Sequence, residues 1–95
     1  MAAGVEPVRL TAIFRGMVQG VGFRFTAVRL ADKFSLSGYV QNLRNGTVEV
    51  SAEGARPELE RFLAAIQSAM AGYIRGSSEQ WSPASGEYRN FIVRF

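Results

Sequence analysis

The 95-residue sequence contains neither cysteine nor histidine. Without cysteine, the chain has no disulfide bonds, no thiolate nucleophile and no cysteine-bound metal. Without histidine, it has no imidazole base and no site for a phosphohistidine intermediate, and it lacks the side chain that binds transition metals most often. These two absences exclude most nucleophilic and metal-dependent chemistries, and we expect no metal site in this protein.

The sequence also lacks a long apolar run. No stretch approaches the roughly 20 apolar residues that a membrane-spanning helix needs, and the opening MAAGVEP has neither the basic region nor the apolar segment of a signal peptide. A cytoplasmic location with no membrane partner is the simplest interpretation. We expect residues 1–7 to form a flexible leader and residues 8–95 to form one domain, because a chain of this length encloses a single hydrophobic core.

The charge of the chain is modest and dispersed. Charged residues make up 20% of the sequence and apolar residues 47%, which is typical of a globular protein and not of a disordered one. The formal net charge of +3 favours an anionic partner, either a phosphorylated small molecule or a nucleic acid. The arginines are spread from Arg9 to Arg94, whereas nucleic-acid binding rewards a contiguous basic face, so we expect no nucleic-acid partner.

Hydrophobic patterns along the chain predict seven secondary-structure elements. Strands are indicated by alternating apolar residues, and helices by apolar residues at i, i+3, i+4 and i+7. The predicted strands cover residues 8–16, 39–43, 47–53, 73–81 and 90–95, and the predicted helices cover residues 24–34 and 56–70. Asn45-Gly46 predicts a two-residue hairpin turn between the second and third strands.

This order of elements is βαββαβ with an extra strand at the end. It predicts an α+β protein with a ferredoxin-like βαββαβ sandwich, in which two helices cover one face of an antiparallel sheet of four strands plus a short C-terminal fifth. The crossover through the first helix makes strands one and two parallel, with space for strand three between them. Their carboxyl ends then share one edge of the sheet, which brings Asn42 close to the loop after Phe14.

A glycine-containing loop, GMVQGVGF at residues 16–23, connects the first strand to the first helix. Glycine lets such a loop turn its N–H groups inward, and the amino end of the helix adds free donors and a positive dipole. Arg24, in the first helical turn, adds a planar group of charged donors that can bind two phosphate oxygens at once. The alternative is that the glycines only shape a turn and that Arg24 is a solvated surface charge, because short glycine patterns are weak signals.

Two longer motifs resemble the signature regions of the acylphosphatase family. They are VQGVGFR at residues 18–24 and GYVQNLRNGTVEVSAEG at residues 38–54, and the closing YRNFIVRF resembles that family's last strand. The resemblance extends from about Val8 to Phe95. It implies a monomeric hydrolase that cleaves small acyl phosphates into a carboxylate and inorganic phosphate, is inhibited by inorganic phosphate and needs no cofactor.

The resemblance also implies roles for individual residues of the two motifs. Arg24 corresponds to the family's phosphate-binding arginine, and Asn42 corresponds to the asparagine that orients the attacking water. The loop residues that would bind phosphate through their backbone N–H groups are Gln19, Gly20, Val21, Gly22 and Phe23.

The chemistry available to the chain agrees with this activity. An acyl phosphate expels a carboxylate, whose conjugate acid has a pKa of roughly 4, so no general acid is required. Charge in the loose transition state spreads over the equatorial oxygens, so positioning and electrostatic stabilisation can carry most of the catalysis. A cysteine phosphatase has its nucleophile six residues before the loop arginine, and this position is Val18 here, so we expect direct attack by water. Asn42 is uncharged and no strong base, which suits it to holding that water.

Several other residues receive a structural interpretation. Glu49 and Glu53 alternate along the third strand, and we expect them to be exposed carboxylates on a sheet face rather than an acid/base pair. We expect Phe23, Phe25 and Trp81 to be packing residues rather than rings that stack on a ligand.

Two other functions stay open as alternatives. RNA-recognition domains share the βαββαβ order, but they stack bases on aromatic residues of their inner strands, and the third strand here, TVEVSAE, has none. An acylphosphatase-like domain can also be the carbamoyl-phosphate-handling segment of a larger maturation enzyme. The absence of cysteine-rich zinc segments favours a free-standing protein over this second alternative.

Overall fold

The computed structural model describes residues 6–95 and contains each of the predicted elements. The strands are β1 (Val8–Gly16), β2 (Leu36–Asn42), β3 (Val48–Gly54), β4 (Ile74–Pro83) and β5 (Phe91–Val93), and the helices are α1 (Phe23–Ala31) and α2 (Arg56–Ala69). Residues 1–5 of the predicted leader lie outside the described residues, while Glu6 and Pro7 are exposed and precede β1. Within residues 6–95, neither helix has the length and apolarity needed to cross a bilayer.

The strands form one sheet in the order β4-β1-β3-β2-β5. β3 lies antiparallel between β1 and β2, and β4 pairs antiparallel with β1 at one edge. The predicted ferredoxin-like fold is therefore confirmed. The sheet is mixed rather than antiparallel throughout, because β5 pairs parallel with β2 at the other edge.

The parallel pairing of β5 follows from the path of the chain after β4. Pro83, at the end of β4, pairs with Val8 at the start of β1. Residues 84–90 then cross this end of the sheet, where β2 also begins, and β5 starts with Phe91 opposite Gly38. β5 therefore runs in the same direction as β2, and the last residues reach the edge where β1 and β2 end.

Helix α1 ends at Ala31, three residues earlier than predicted. The turn that follows is tighter than an α-helix, because the N–H of Phe34 donates to the carbonyl of Ala31 (3.0 Å), three residues back. The ring of Phe34 still packs 6.0 Å from the ring of Phe62. The apolar stripe thus predicted a core contact correctly but placed the helix end too late.

The turn between β2 and β3 is longer than predicted. The N–H of Leu43 donates to the carbonyl of Thr47 (2.9 Å), and the N–H of Gly46 donates to the carbonyl of Leu43 (3.2 Å). Gly46 has a φ of 90°, and the side chain of Asn45 accepts a hydrogen bond from the N–H of Thr47 (3.1 Å). This is a three-residue loop that ends in a left-handed glycine, so the two-residue turn is wrong, whereas Asn45 does act as a turn former.

Both helices pack against one face of the sheet and enclose the hydrophobic core. Phe14, near the end of β1, is fully buried, and its ring lies 5.1 Å from that of Phe23, the first residue of α1. This contact fixes the start of α1 against the end of β1. The other large, fully buried side chains are Leu10, Val18, Val40, Val48, Val50, Leu59, Phe62 and Ile66.

Glu53 is buried, contrary to the expectation of an exposed carboxylate. It lies on the open face of the sheet, the face away from the helices, where residues 84–90 cover it. Its side chain is 4% exposed, pairs with Arg9 at 2.7 Å, and accepts hydrogen bonds from the N–H groups of Ser85 (2.8 Å) and Gly86 (3.0 Å). Burial by itself raises the pKa of Glu53, but the hydrogen bonds from Ser85, Gly86 and Arg9 together outweigh it and lower the pKa from 4.5 to about 2.

Glu49 and Trp81 also have defined packing. Glu49 is half-buried on the open face and accepts hydrogen bonds from the side chains of Tyr39 (3.1 Å) and Gln41 (2.8 Å), so it is less exposed than expected. Trp81 packs against the core, as expected, and the guanidinium carbon of Arg56 lies 4.1 Å from its ring centroid. These contacts give both residues structural roles.

Replacing Glu53 with glutamine should lower the free energy of unfolding by about 2 to 3 kcal/mol at neutral pH. Because the folded-state pKa is lower than the unfolded one, Glu53 stabilises the fold fully above its unfolded pKa of 4.5, and this contribution is lost as the pH falls through the folded pKa of about 2. Urea unfolding should therefore show a steeper loss of stability over this pH range for the wild-type protein than for E53Q.

Glu87→Gln is the matched control for this experiment. Glu87 also contacts Arg9 (3.6 Å), but its side chain is 64% exposed, so its removal should change the stability by less than about 0.5 kcal/mol. Equal pH profiles for the wild-type protein and E53Q would contradict the stabilising role of the Glu53 carboxylate.

Candidate active site

The loop of residues 17–22 leads from the end of β1 into α1. Val18 is fully buried, and the N–H of Met17 donates to the carbonyl of Tyr73 (2.9 Å), so the base of the loop is held in place. Gly20 and Gly22 have φ values of 79° and 81°, in the left-handed region that glycine adopts without strain. These two glycines turn the backbone before α1 begins.

The amino end of α1 has no side chain that neutralises it. Its capping residue is Gly22, which offers no side-chain acceptor to the free N–H groups of the first turn, and this turn contains no acidic residue. The positive end of the helix dipole and its donors therefore remain available to an anion. Arg24, the second residue of α1, adds a full positive charge at the same place.

A cavity of about 230 Å³ lies at the edge of the sheet where β1 and β2 end. It contains five of the seven residues that the sequence analysis singled out, together with three apolar residues. Among the eight lining residues, Arg24 alone has a charged side chain. The lining residues are Gly20, Gly22, Phe23, Arg24, Phe25, Asn42, Val93 and Phe95.

Asn42 reaches this cavity because of the sheet topology. It is the last residue of β2 and pairs with Val48 at the start of β3. β1 and β2 run parallel on either side of β3, so both end at the same edge of the sheet. The structure therefore brings Asn42 and Arg24 to one cavity, as the predicted crossover required.

Gln19 and Val21 are predicted loop residues that do not line the cavity. The side-chain amide of Gln19 donates hydrogen bonds to the carbonyl groups of Leu43 (2.8 Å) and Thr47 (2.9 Å). Val21 is half-buried and packs against the core. Gln19 thus ties the loop to the β2–β3 turn that follows Asn42, a contact that no spacing in the sequence could have indicated.

The guanidinium group of Arg24 contacts an aromatic ring. Its central carbon lies 5.3 Å from the ring centroid of Phe95. Within residues 6–95, the ion pairs are formed by Arg9, Arg56 and Arg61, and none of them involves Arg24. A cation that contacts a ring instead of a carboxylate keeps its charge available for an anion, so Arg24 contributes an available positive charge to the cavity.

Sequence reasoning missed the three apolar residues of the cavity. Phe25 was expected to pack in the interior, but it is 73% exposed and lines the cavity, so that prediction is wrong, whereas Phe23 is buried as expected. The sequence did contain a signal that Phe25 is exposed, because Phe25 lies outside the apolar stripe of α1. Nothing in the local sequence indicated that Val93 and Phe95 line the cavity, since their place beside Asn42 depends on the parallel pairing of β5 with β2.

The fold and the cavity together define a class of protein. It is a ferredoxin-like α+β protein with an uncapped helix start, a left-handed glycine loop and a free arginine at one sheet edge. The cavity can hold a tetrahedral anion, with donors from the backbone and from Arg24, and it places the amide of Asn42 on the same cavity wall. Of the residues that line the cavity, only Arg24 has a charged side chain that can pair with a charged ligand.

Comparisons with known proteins identify the family. The acylphosphatase family model matches residues 10–93. The chain is 38% identical to an acylphosphatase from Syntrophotalea carbinolica over 92 residues, which cover 96% of this chain and 100% of that protein. The chain therefore belongs to the acylphosphatase family, which is a family of enzymes.

Solved structures agree with this assignment. The crystal structure of acylphosphatase from Bacillus subtilis matches with a TM-score of 0.83 and 30% identity, covering 93% of this chain and 99% of that one. The crystal structure of HypF from T. kodakarensis matches with a TM-score of 0.77 and 30% identity, covering 90% of this chain and 12% of that one. The same fold thus occurs both in a protein of similar length and within a much longer one.

Proposed function

We propose that this protein hydrolyses the carboxyl-phosphate bond of small acyl phosphates, releasing a carboxylate and inorganic phosphate. The observation that carries the proposal is the convergence of Arg24, Asn42 and the glycine loop on one cavity. Family membership supports the same activity. The further parts of the proposal are a cytoplasmic location and a monomeric state. Sedimentation of the pure protein tests the monomeric state, and fractionation of cells tests the location.

The phosphoryl group binds to the loop and to Arg24. The backbone N–H groups of residues 19–23 surround the phosphoryl oxygens, and the Arg24 guanidinium binds two of them at once. Both kinds of donor are held before the substrate arrives, because Val18 and Phe23 are buried on either side of the loop. Such preorganised donors stabilise the charge that develops on the equatorial oxygens in the transition state.

The nucleophile is a water molecule held by Asn42. The side-chain amide accepts a hydrogen bond from the water and fixes its position relative to the phosphorus, without removing a proton to any significant extent. The water attacks phosphorus while the bond to the carboxyl oxygen breaks, and one proton of the water passes to a phosphoryl oxygen, so that the products are the carboxylate and dihydrogen phosphate. The leaving carboxylate is a weak base and departs without a proton, which fits a cavity lining that has no acidic side chain.

The experiment that tests this function is the hydrolysis of benzoyl phosphate by the pure protein. We expect turnover that is unchanged by excess chelator and competitively inhibited by inorganic phosphate. A phosphate monoester with an alkoxide leaving group is the matched control substrate, and it should react far more slowly because the lining residues offer no general acid. Absence of benzoyl phosphate turnover, with salt-dependent binding of RNA, would favour the RNA-binding alternative instead.

A further inference from the structure

Two of the most exposed large apolar side chains of the described residues lie at this cavity. Phe25 is 73% exposed and Phe95 is 99% exposed, and a third apolar lining residue, Val93 on β5, is half-buried. Single exposed apolar residues are common on protein surfaces and need no explanation. Here two exposed phenylalanines and Val93 line the same cavity as a predicted anion site, and we call these three residues the apolar wall.

The apolar wall lies next to Arg24, the charged residue of the cavity. Phe25 directly follows Arg24 in the first turn of α1, and the ring of Phe95 lies 5.3 Å from the central guanidinium carbon of Arg24. Val93 and Phe95 are two residues apart at the end of the chain, so they can present side chains to the same side. If Arg24 binds the phosphate of a ligand, the rest of that ligand would therefore lie beside the apolar wall.

The size of the cavity leaves room for such a part. Its volume of about 230 Å³ corresponds to roughly seven or eight water molecules at about 30 Å³ each. A phosphoryl group and one attacking water use only part of this space. The remainder is bounded by the apolar wall and contains no second charged side chain among the lining residues.

We infer that the apolar wall, formed by Phe25, Val93 and Phe95, binds the acyl group of the substrate and selects aromatic or bulky apolar acyl groups over small ones. The inference rests on the proposed function, because it assumes that Arg24 and the loop bind the phosphoryl end. An aromatic acyl group would bury its ring against Phe25 and Phe95, whose rings are otherwise exposed to water. An acyl group with its own carboxylate would find no cation here, since Arg24 is occupied by phosphate.

The test compares benzoyl phosphate with acetyl phosphate. Each kcat/KM value is divided by the uncatalysed hydrolysis rate of the same compound, so that the ratio reports on binding and not on intrinsic reactivity. We expect the wild-type protein to prefer benzoyl phosphate by about 10-fold or more, which is the discrimination that a few apolar groups supply in a pocket. In the double variant F25A/F95A the preference should fall to about twofold or less, mainly through a higher KM for benzoyl phosphate.

Ile92→Ala is the matched control. Ile92 lies on β5 between Phe91 and Val93 and is 47% exposed, but it is not a lining residue of the cavity, so its removal should leave the benzoyl preference intact. Phe25 and Phe95 are so exposed that their removal should not unfold the protein, and urea unfolding verifies this. The inhibition constants of phenylphosphonate and methylphosphonate give a second readout, because the phenyl compound should bind more tightly to the wild-type protein and lose this advantage in F25A/F95A.

The outcomes separate this inference from the proposed function. Hydrolysis of both compounds with no preference, or with a preference that F25A/F95A retains, would overturn the role inferred for the apolar wall. The proposed acylphosphatase activity would not be affected. A fall of equal size for both compounds in F25A/F95A would also overturn it, because the rings would then act on Arg24 and not on the acyl group. Failure to hydrolyse either compound would overturn both proposals.

Discussion

Replacing Arg24 with alanine should lower kcat/KM for benzoyl phosphate by about 100-fold or more. The expected size follows from the loss of a preorganised charged donor at a developing oxyanion, which costs at least this much in other enzymes. In this cavity the loss should be large because, among the lining residues, no other side chain is cationic. The inhibition constant of inorganic phosphate should rise in the same variant, since Arg24 is proposed to bind the product as well as the substrate.

Arg24→Lys distinguishes the geometry of the guanidinium group from its charge. Lysine keeps the positive charge but presents a single ammonium in place of two parallel N–H donors, so R24K should also lose most of its activity. Arg29→Ala is the matched control, because Arg29 is an exposed arginine in the last turn of the same helix. Full activity of R24A, or equal losses in R24A and R29A, would refute the role assigned to Arg24.

Replacing Asn42 with alanine should also lower kcat by about 100-fold, but with a different kinetic signature. Asn42 is proposed to hold water and not phosphate, so the inhibition constant of inorganic phosphate should stay within about threefold of the wild-type value. Single-turnover measurements with benzoyl phosphate check that the affected step is the chemical one. N42A should therefore lower the rate without weakening phosphate binding, whereas R24A should impair both.

Gln41→Ala is the control for Asn42. Gln41 precedes Asn42 on β2, but its side chain faces the open side of the sheet, where it donates to Glu49 (2.8 Å). Q41A should therefore keep its activity, with at most a modest loss of stability. If N42A weakened phosphate binding as strongly as it lowered kcat, Asn42 would be a phosphate ligand and the proposed role in holding water would be wrong.

The core of the fold could be predicted from local patterns because burial depends on residue type and spacing. Alternation in residues 8–16 and the helical stripe from Leu59 to Met70 each indicate one buried face. The βαβ crossover makes β1 and β2 parallel, which then places Asn42 at the same edge as the glycine loop. The boundaries were less accurate, since the end of α1 and the form of the β2–β3 turn depend on hydrogen bonds that periodicity does not reveal.

The polar contacts were the least predictable feature. Glu53 occupies a position on β3 that alternation assigns to solvent, but residues 84–90 cover it and supply two backbone N–H donors. A loop that folds over a sheet face leaves no trace in the spacing of the strand beneath it. The side chain of Gln19 is comparable, since its partners Leu43 and Thr47 lie more than 20 residues away in the chain.

Residue types and their spacing were sufficient to predict the element order and to place the glycine loop, Arg24 and Asn42 at one edge of the sheet. These features depend on local conformation and on one crossover, which makes β1 and β2 parallel. The roles proposed for these residues come from the resemblance to the acylphosphatase family. The tertiary structure alone decided that β5 runs parallel to β2, that Glu53 is buried, and that the apolar wall stands beside Arg24. These features depend on where the segment after β4 crosses the sheet, and the path of a long connection is set by packing against distant strands and not by its own sequence.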